Sequence, residues 1–420
     1  MSEEQQYYRR NFLCYVADWV IFVAGMTFVS QTTVLPSFVD QLTDFAPLIG
    51  LASTIPNGVW LLPQILAANY VASSARKKPW VMGMGLAGRP MYLLVGLFMF
   101  AVGSSYPPLL LSVFFLAETS FSTLDGLSSV AWFDILSRVI PPGKRGRFYT
   151  SAQVTTGVLS LGAGAIVGRV LGPSGPEFPY NYALLFCASS SLLLLALACF
   201  SLVKEPAHEA QSQRQPWRTY LPKMGRLFRE DRQFRLINVV RLLMAVAGLS
   251  IPFYVVHATN VLGLGGQYIG LFVSAQVLGG LIASMAMGYL NEKSGSRIVT
   301  QLTVALGLVS PLLALAVHWI PIQAALTPYV YSLVFLFIGG NYAGYMQGFM
   351  NLVLDIAPPQ DRPAYIGLYN TLGGTVVTAA PLVGGWILQA TSYPILFSVT
   401  AAGIIASLLL SFTLREPRHR

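Results

Sequence analysis

Charge is what this chain has least of. Asp, Glu, Lys and Arg make up 10% of its 420 residues, where a soluble domain carries about 25%. With 54% of residues hydrophobic and a mean hydropathy of +0.60, a water-soluble class is excluded. Cysteine is nearly absent too. Cys14, Cys187 and Cys199 all fall inside apolar stretches, so they supply neither a disulfide framework nor a metal-ligand spacing, and packing is their expected role. No Gly-x-x-x-x-Gly-Lys phosphate loop occurs, which removes support for direct drive by ATP. Neither a Ser-His-Asp grouping nor a His-Glu-x-x-His motif is present. No enzyme activity, cofactor or metal is therefore expected.

Cations are missing from every second loop. The regions near Asp40–Asp44, Ser104–Pro108, Asn260–Gln267, Pro321–Pro328 and Gln389–Pro394 contain none, and Arg169, at the edge of the Gly172–Asn181 loop, is the exception. The alternate regions hold Arg9 and Arg10, then Arg76, Lys77 and Lys78, then Arg138, Lys144, Arg145 and Arg147. They continue through the stretch from Lys204 to Arg235, Lys293 and Arg297, Arg362, and finally Arg415, Arg418 and Arg420. Such alternation is the positive-inside signature of a multi-pass protein of the inner or plasma membrane, with an even number of spans and both termini cytoplasmic. The net charge of +9 then lies mostly in cytoplasmic loops facing anionic lipid, and nucleic acid is excluded as a partner. The opening MSEEQQYYRR runs into an apolar segment without a small-residue cleavage site, so an uncleaved first helix is expected.

A span needs roughly 20 apolar residues. The spans read as Asn11–Phe38, Phe45–Ala72, Pro79–Gly103, Pro107–Val139, Gly146–Leu171, Pro179–Val203, Arg232–Asn260, Gln267–Asn291, Ser296–His318, Pro328–Ile356, Pro363–Gln389 and Tyr393–Leu414. The expected fold is an all-α membrane protein: twelve transmembrane helices in two pseudo-symmetric six-helix bundles, residues 1–203 and 232–420. The connection 204–231 carries Trp217, Leu221, Met224 and Leu227 at helical spacing among cations, which fits a helix lying on the inner membrane surface; a solvated linker is the alternative. The halves repeat one another. Ile140-Pro141-Pro142-Gly143-Lys144-Arg145-Gly146 corresponds to Ala357-Pro358-Pro359-Gln360-Asp361-Arg362-Pro363, and Gly168 to Gly385. Ile49-Gly50-Leu51 falls on Ile269-Gly270-Leu271, and Ala24-Gly25 on Ala247-Gly248. Parallel repeats of this kind belong to secondary transporters that rock two bundles about a central site.

Between the eighth and ninth spans stands Gly288-Tyr289-Leu290-Asn291-Glu292-Lys293-Ser294-Gly295-Ser296-Arg297. It resembles the G-x-x-x-[DE]-[RK]-x-G-x-[RK] loop of the major facilitator superfamily, and the likeness extends over essentially the whole chain. The resemblance implies a cytoplasmic latch of Gly288, Glu292, Lys293, Gly295 and Arg297, with Arg145 from the similar Pro142, Arg145, Gly146, Arg147 loop. In the first half Ala68, Ala72, Ser73 and Ala75 replace the motif's key residues, and Arg76, Lys77 and Lys78 remain. Ala380-Pro381-Leu382-Val383-Gly384-Gly385 is similar to the family's eleventh-helix pattern. The fifth-helix motif of drug antiporters would put proline at Gly164, and it is absent, although Gly157, Gly164 and Gly168 allow close packing.

An Asp, Lys or Arg at a helix centre costs roughly 2.5–3.5 kcal/mol on insertion scales, so it faces a cavity or a partner. The candidates are Asp18, Arg89, Glu118, Asp125, Asp134 and Arg241. Glu118, Ser122, Asp125 and Ser129 fall on one face of the fourth helix. The family resemblance turns the first, fourth, seventh and tenth helices toward a central cavity; bonding between helices is the alternative. At about 1.5 Å per residue, Arg89 and Asp125 lie roughly 15 and 21 Å above the inner surface, close enough to pair. Glu118 has no cation at its depth and is the candidate proton carrier, with Asp125 the second. Asp134, near Arg138, is expected to cap or latch. Asp18 and Arg241 occupy equivalent repeat positions, and either meet as a gate or zwitterion site or pair within their own halves. Asn341 and Tyr345 join Asn57, Gln64, Gln153, His257, Gln276, Gln347 and Asn370 as hydrogen-bonding candidates for substrate or for neighbouring helices.

The expected function is a monomeric secondary active transporter that moves a small-molecule substrate by alternating access, coupled to protons and embedded in membrane lipid. A transporter-fold assembly factor, a lipid or pigment carrier, or a non-transporting subunit of a membrane complex is the alternative; the buried carboxylates argue against it.

Overall fold

The computed structural model describes residues 3–61, 63–64, 76–205, 228–358 and 362–416. The stripe Trp217, Leu221, Met224 and Leu227, the loop positions Ala68, Ala72, Ser73 and Ala75, and the side chain of Arg145 lie outside them. Every regular element described is helical. The first half comprises α1 (Glu3–Thr27), α2 (Val34–Asp40), α3 (Ala46–Leu61), α4 (Lys78–Gly88), α5 (Met91–Val102), α6 (Pro107–Val139), α7 (Pro142–Val170) and α8 (Tyr180–Ser201). The second comprises α9 (Arg232–Met244), α10 (Ile251–Asn260), α11 (Gln267–Ser294), α12 (Ser296–Trp319), α13 (Thr327–Gly344), α14 (Asn351–Ile356), α15 (Arg362–Ala390) and α16 (Tyr393–Ser411). Among the described residues nine helices are long and apolar enough to cross a membrane. The expected spans outside that set are the first, carrying Arg9, Arg10 and Asp18, the second, whose helix is described to Leu61, and the tenth, interrupted after Gly344.

The interruptions have local causes. Pro90 lacks an N–H and its ring displaces the preceding turn, so the third span is two helices with Arg89 at the joint. Ser190 Oγ donates to the Arg89 carbonyl at 2.7 Å, serving backbone that lipid could not. The first span stops at Thr27 and resumes at Val34. The seventh tightens into a 3₁₀ turn, Ala245–Leu249, ahead of Pro252. The tenth widens into a π-helical turn, Tyr345–Met350, a distortion that recurs at functional sites.

The chain divides into two compact units. Unit 1 holds Met1–Thr43, Ile55–Arg214 and Gly265–Gly270; unit 2 holds Asp44–Thr54, Gln215–Leu264 and Leu271–Arg420. They depart from residues 1–203 and 232–420 by two exchanged segments, each held by backbone at close range. In unit 1 a Cβ on Gly270 would overlap Gly164 and Gly168, and in unit 2 a Cβ on Gly50 would overlap the Pro381 carbonyl. Inside each unit the same pairs of spans pack: first on sixth (α1 on α8, α9 on α16) and third on sixth (α5 on α8, α12 on α16). Third on fourth (α4 on α6, α12 on α13) and first on fifth (α1 on α7, the 3₁₀ turn on α15) recur as well.

The cores repeat in the same way. Tyr15, Val81, Trp132, Phe148 and Phe200 of unit 1 are buried together from the first, third, fourth, fifth and sixth spans. Phe234, Val304, Phe349, Tyr365 and Ile404 do so in unit 2 from the matching five. Between lipid-embedded helices the hydrophobic effect is nearly silent, so dispersion and shape hold these clusters. Tyr15 meets Trp132, Phe148 and Phe200 edge-on at centroid separations of 5.1, 6.3 and 5.5 Å, each pair contributing about 0.5–1.5 kcal/mol.

Candidate functional site

The polar face of α6 is real, but its members do different things. Glu118 is 0% exposed. Tyr92 on α5 donates to its Oε2 at 2.6 Å and Ser122 to its Oε1 at 3.1 Å, so its partners are hydroxyls. Asp125 is half-buried and accepts from Trp60 Nε1 at 2.9 Å. Ser129 bonds back to the Gly126 carbonyl at 2.8 Å, a local bond within its own helix.

The Arg89–Asp125 pair does not form. Arg89 Nη1 lies 3.5 Å from Asp18 Oδ1, donates to the Leu193 carbonyl at 2.8 Å, and the guanidinium faces the Phe22 ring at 5.2 Å. Trp132 Nε1 donates to the other oxygen of Asp18 at 2.7 Å. Depth along the membrane matched Arg89 to Asp125, but azimuth decides, and from the joint before Pro90 the side chain runs to α1 and α8. Asp18 makes its contacts inside unit 1, and Arg241 makes its contacts inside unit 2.

In unit 2, Arg241 on α9 is 7% exposed. Its Nη1 donates to the Tyr369 carbonyl, and its guanidinium carbon lies 3.8 Å from the Tyr369 ring centroid and 5.0 Å from that of Tyr345. Tyr345 opens the π-helical turn. A Cβ on Gly373 of α15 would overlap the guanidinium, so only glycine leaves it room. Asn341 donates to the Thr303 carbonyl at 2.9 Å and ties α13 to α12. Nearby in the chain, His257 shares hydrogen bonds with Tyr331 at 2.9 Å and His318 at 3.0 Å.

The α11–α12 loop shows what its residues contact. Glu292 is exposed and forms no ion pair among the described residues. Lys293 stands 5.8 Å from the Tyr289 ring, and Gly288 leaves space beside Gln347. The acid at this loop is Glu416, beyond α16: its Oε2 accepts from the Arg297 backbone N–H at 3.0 Å, while Arg297 Nη2 donates to the Phe412 carbonyl at 3.0 Å. Gly295, at φ +87°, makes the turn and leaves room for that carboxylate. Ser296 Oγ donates to Asp355 at 2.7 Å. A helix N-terminus presents unbonded N–H groups and partial positive charge, so an acid in reach settles there.

Unit 1 carries the same device. Glu205, beyond α8, accepts from the backbone N–H of Lys77 at 2.9 and 3.1 Å and of Lys78 at 2.9 Å. Asp134 joins Lys77 at 2.7 Å and Arg138 at 2.8 Å. Glu205 and Glu416 were legible as a repeated basic-Glu-Pro triplet, Lys204-Glu205-Pro206 and Arg415-Glu416-Pro417. Tyr92, Trp60, Trp132, Tyr369 and Gly373 carry no periodic or charge signal that would have found them.

Residues 236–420 match the sequence profile of the Major Facilitator Superfamily. A stretch of 174 residues, 41% of the chain, is 26% identical to the Quinolone resistance protein NorA of Staphylococcus aureus and spans 42% of that protein's length. The structure resembles a peptide transporter crystallised in complex with sulfate, with a TM-score of 0.70 at 12% identity, over 99% of this chain and 97% of that one. It also resembles a bacterial homologue of the iron transporter ferroportin in its inward-facing state, with a TM-score of 0.69 at 13% identity, over 96% and 98%. At such identities these likenesses establish the fold alone. The second half of this multi-pass membrane protein thus carries the sequence profile of the Major Facilitator Superfamily, and nearly its whole length resembles solved transporters in fold.

Proposed function

We propose that the protein is a secondary active transporter that moves a small solute across the inner or plasma membrane by alternating access, coupled to protons. Glu118 carries this reading. It is fully buried on α6, and its partners are the hydroxyls of Tyr92 and Ser122. A hydroxyl donates to a carboxylate and accepts from a carboxylic acid, so Glu118 gains or loses a proton without stranding a counter-charge. Asp18, tied to Arg89, lacks that freedom. The family profile over residues 236–420 supports transport, and the protein is read as a monomer with its termini in the cytoplasm.

The test is Glu118→Gln, reconstituted in proteoliposomes with a solute found by thermal-shift screening. The amide keeps the shape but exchanges no proton. Accumulation driven by a pH gradient is expected to fall to the level of passive equilibration, with counterflow preserved. Continued uphill accumulation by this variant removes Glu118 as the coupling site.

A further inference from the structure

We infer that the Arg241 cradle in unit 2 is a subsite for a carboxylate group of the solute, an inference that rests on the transporter reading above. A buried guanidinium is unfavourable unless an anion meets it. Among the described residues none does, and all three ion pairs lie in unit 1. Of the five donors on Arg241, Nη1 makes the one hydrogen bond, to the Tyr369 carbonyl. Nε is buried without a partner, and the buried hydroxyls of Tyr345 and Tyr369 reach only each other, which leaves one O–H over. Stacking for structural reasons accounts for the ring contacts and the carbonyl bond. It does not account for two idle donors gathered in one place.

Those donors complement an oxyanion. The Nε–Nη2 edge of arginine takes two oxygens side by side, and a phenol O–H reaches a remaining lone pair. The tyrosine rings, at 3.8 and 5.0 Å, fix the plane of the guanidinium, and Gly373 lets it lie against the backbone of α15. The charge balance selects the class. One buried cation neutralises a monoanion such as a carboxylate, whereas a phosphate dianion would leave net charge inside the bundle.

The full-length chain in lipid nanodiscs is titrated calorimetrically with benzoate, with benzamide as the neutral isostere and inorganic phosphate as the alternative anion. Benzoate is expected to bind and benzamide and phosphate to fail. Tyr345→Phe and Tyr369→Phe remove a single hydroxyl each and are expected to weaken benzoate roughly tenfold. Arg241→Lys should weaken it further, and Gly373→Ala, which displaces the guanidinium, should abolish it. The tyrosine variants keep the test sound if either of the other two misfolds. Absence of benzoate binding, equal binding by the tyrosine variants and the parent, or preference for phosphate overturns the subsite. Benzoate binding as described without pH-driven accumulation of any solute in proteoliposomes upholds the subsite and defeats the transporter reading. Accumulation of a neutral or cationic solute by a protein that ignores benzoate does the reverse.

Discussion

Two buried arginines sit in unlike surroundings, and their neighbours set what each variant does. Arg89 is balanced by Asp18, which also takes the Trp132 indole N–H. Asp18→Asn keeps the shape but leaves the guanidinium uncompensated, and breaking a buried pair costs about 3–5 kcal/mol. A clear fall in melting temperature is expected. Asp125→Asn keeps one oxygen to accept from Trp60 and loses only the strength of a charged acceptor, which should cost about 1 kcal/mol at most. Melting both variants in the same nanodiscs decides the matter: a larger loss for Asp125→Asn would mean that Arg89 leans on Asp125 after all.

Among the elements, the third span of each unit begins under an acid delivered from beyond the sixth. Glu205 serves α4 and Glu416 serves α12. Such an anion at a helix N-terminus stabilises by about 0.3–2 kcal/mol. Glu416→Gln should therefore speed amide hydrogen exchange at residues 295–298 by about two- to thirtyfold, while Glu292→Gln leaves it unchanged. Mass spectrometry of peptides covering the loop reads both. Faster exchange in the Glu292 variant alone would restore that residue as the latch acid. The triplet repeat behind this device was visible in the chain, but a glutamate next to a basic residue and a proline reads equally well as a solvated turn. Only the approach of α8 to α4, and of α16 to α12, gives it a target.

For the whole molecule, the alternation of cation-rich and cation-free loops is the ground for proposing that both termini lie inside. Reporters fused near Arg10 and Arg420 are expected to register cytoplasmic locations. An external signal at either end would dismantle the even-span arrangement. The recurrence of four span pairings and of five-span cores in the two units is what parallel repeats require.

Membrane class, repeat and the roster of intramembrane charges follow from the sequence alone. Hydropathy, charge and spacing are properties of a line, and lipid enforces them strictly. Glu118, Asp18, Arg89 and Arg241 are legible because a charge inside an apolar run is conspicuous. Which of them meet is not written there. Depth along a helix follows from counting residues, but azimuth depends on how each helix is rotated and broken, and that is set by Pro90, by the π-helical turn at Tyr345 and by packing on neighbours. Hence Arg89 goes to Asp18, Glu118 to Tyr92, and Arg241 to a cradle of Tyr345, Tyr369 and Gly373. Aromatic donors and a bare glycine look like ordinary membrane residues until tertiary structure brings a charge beside them.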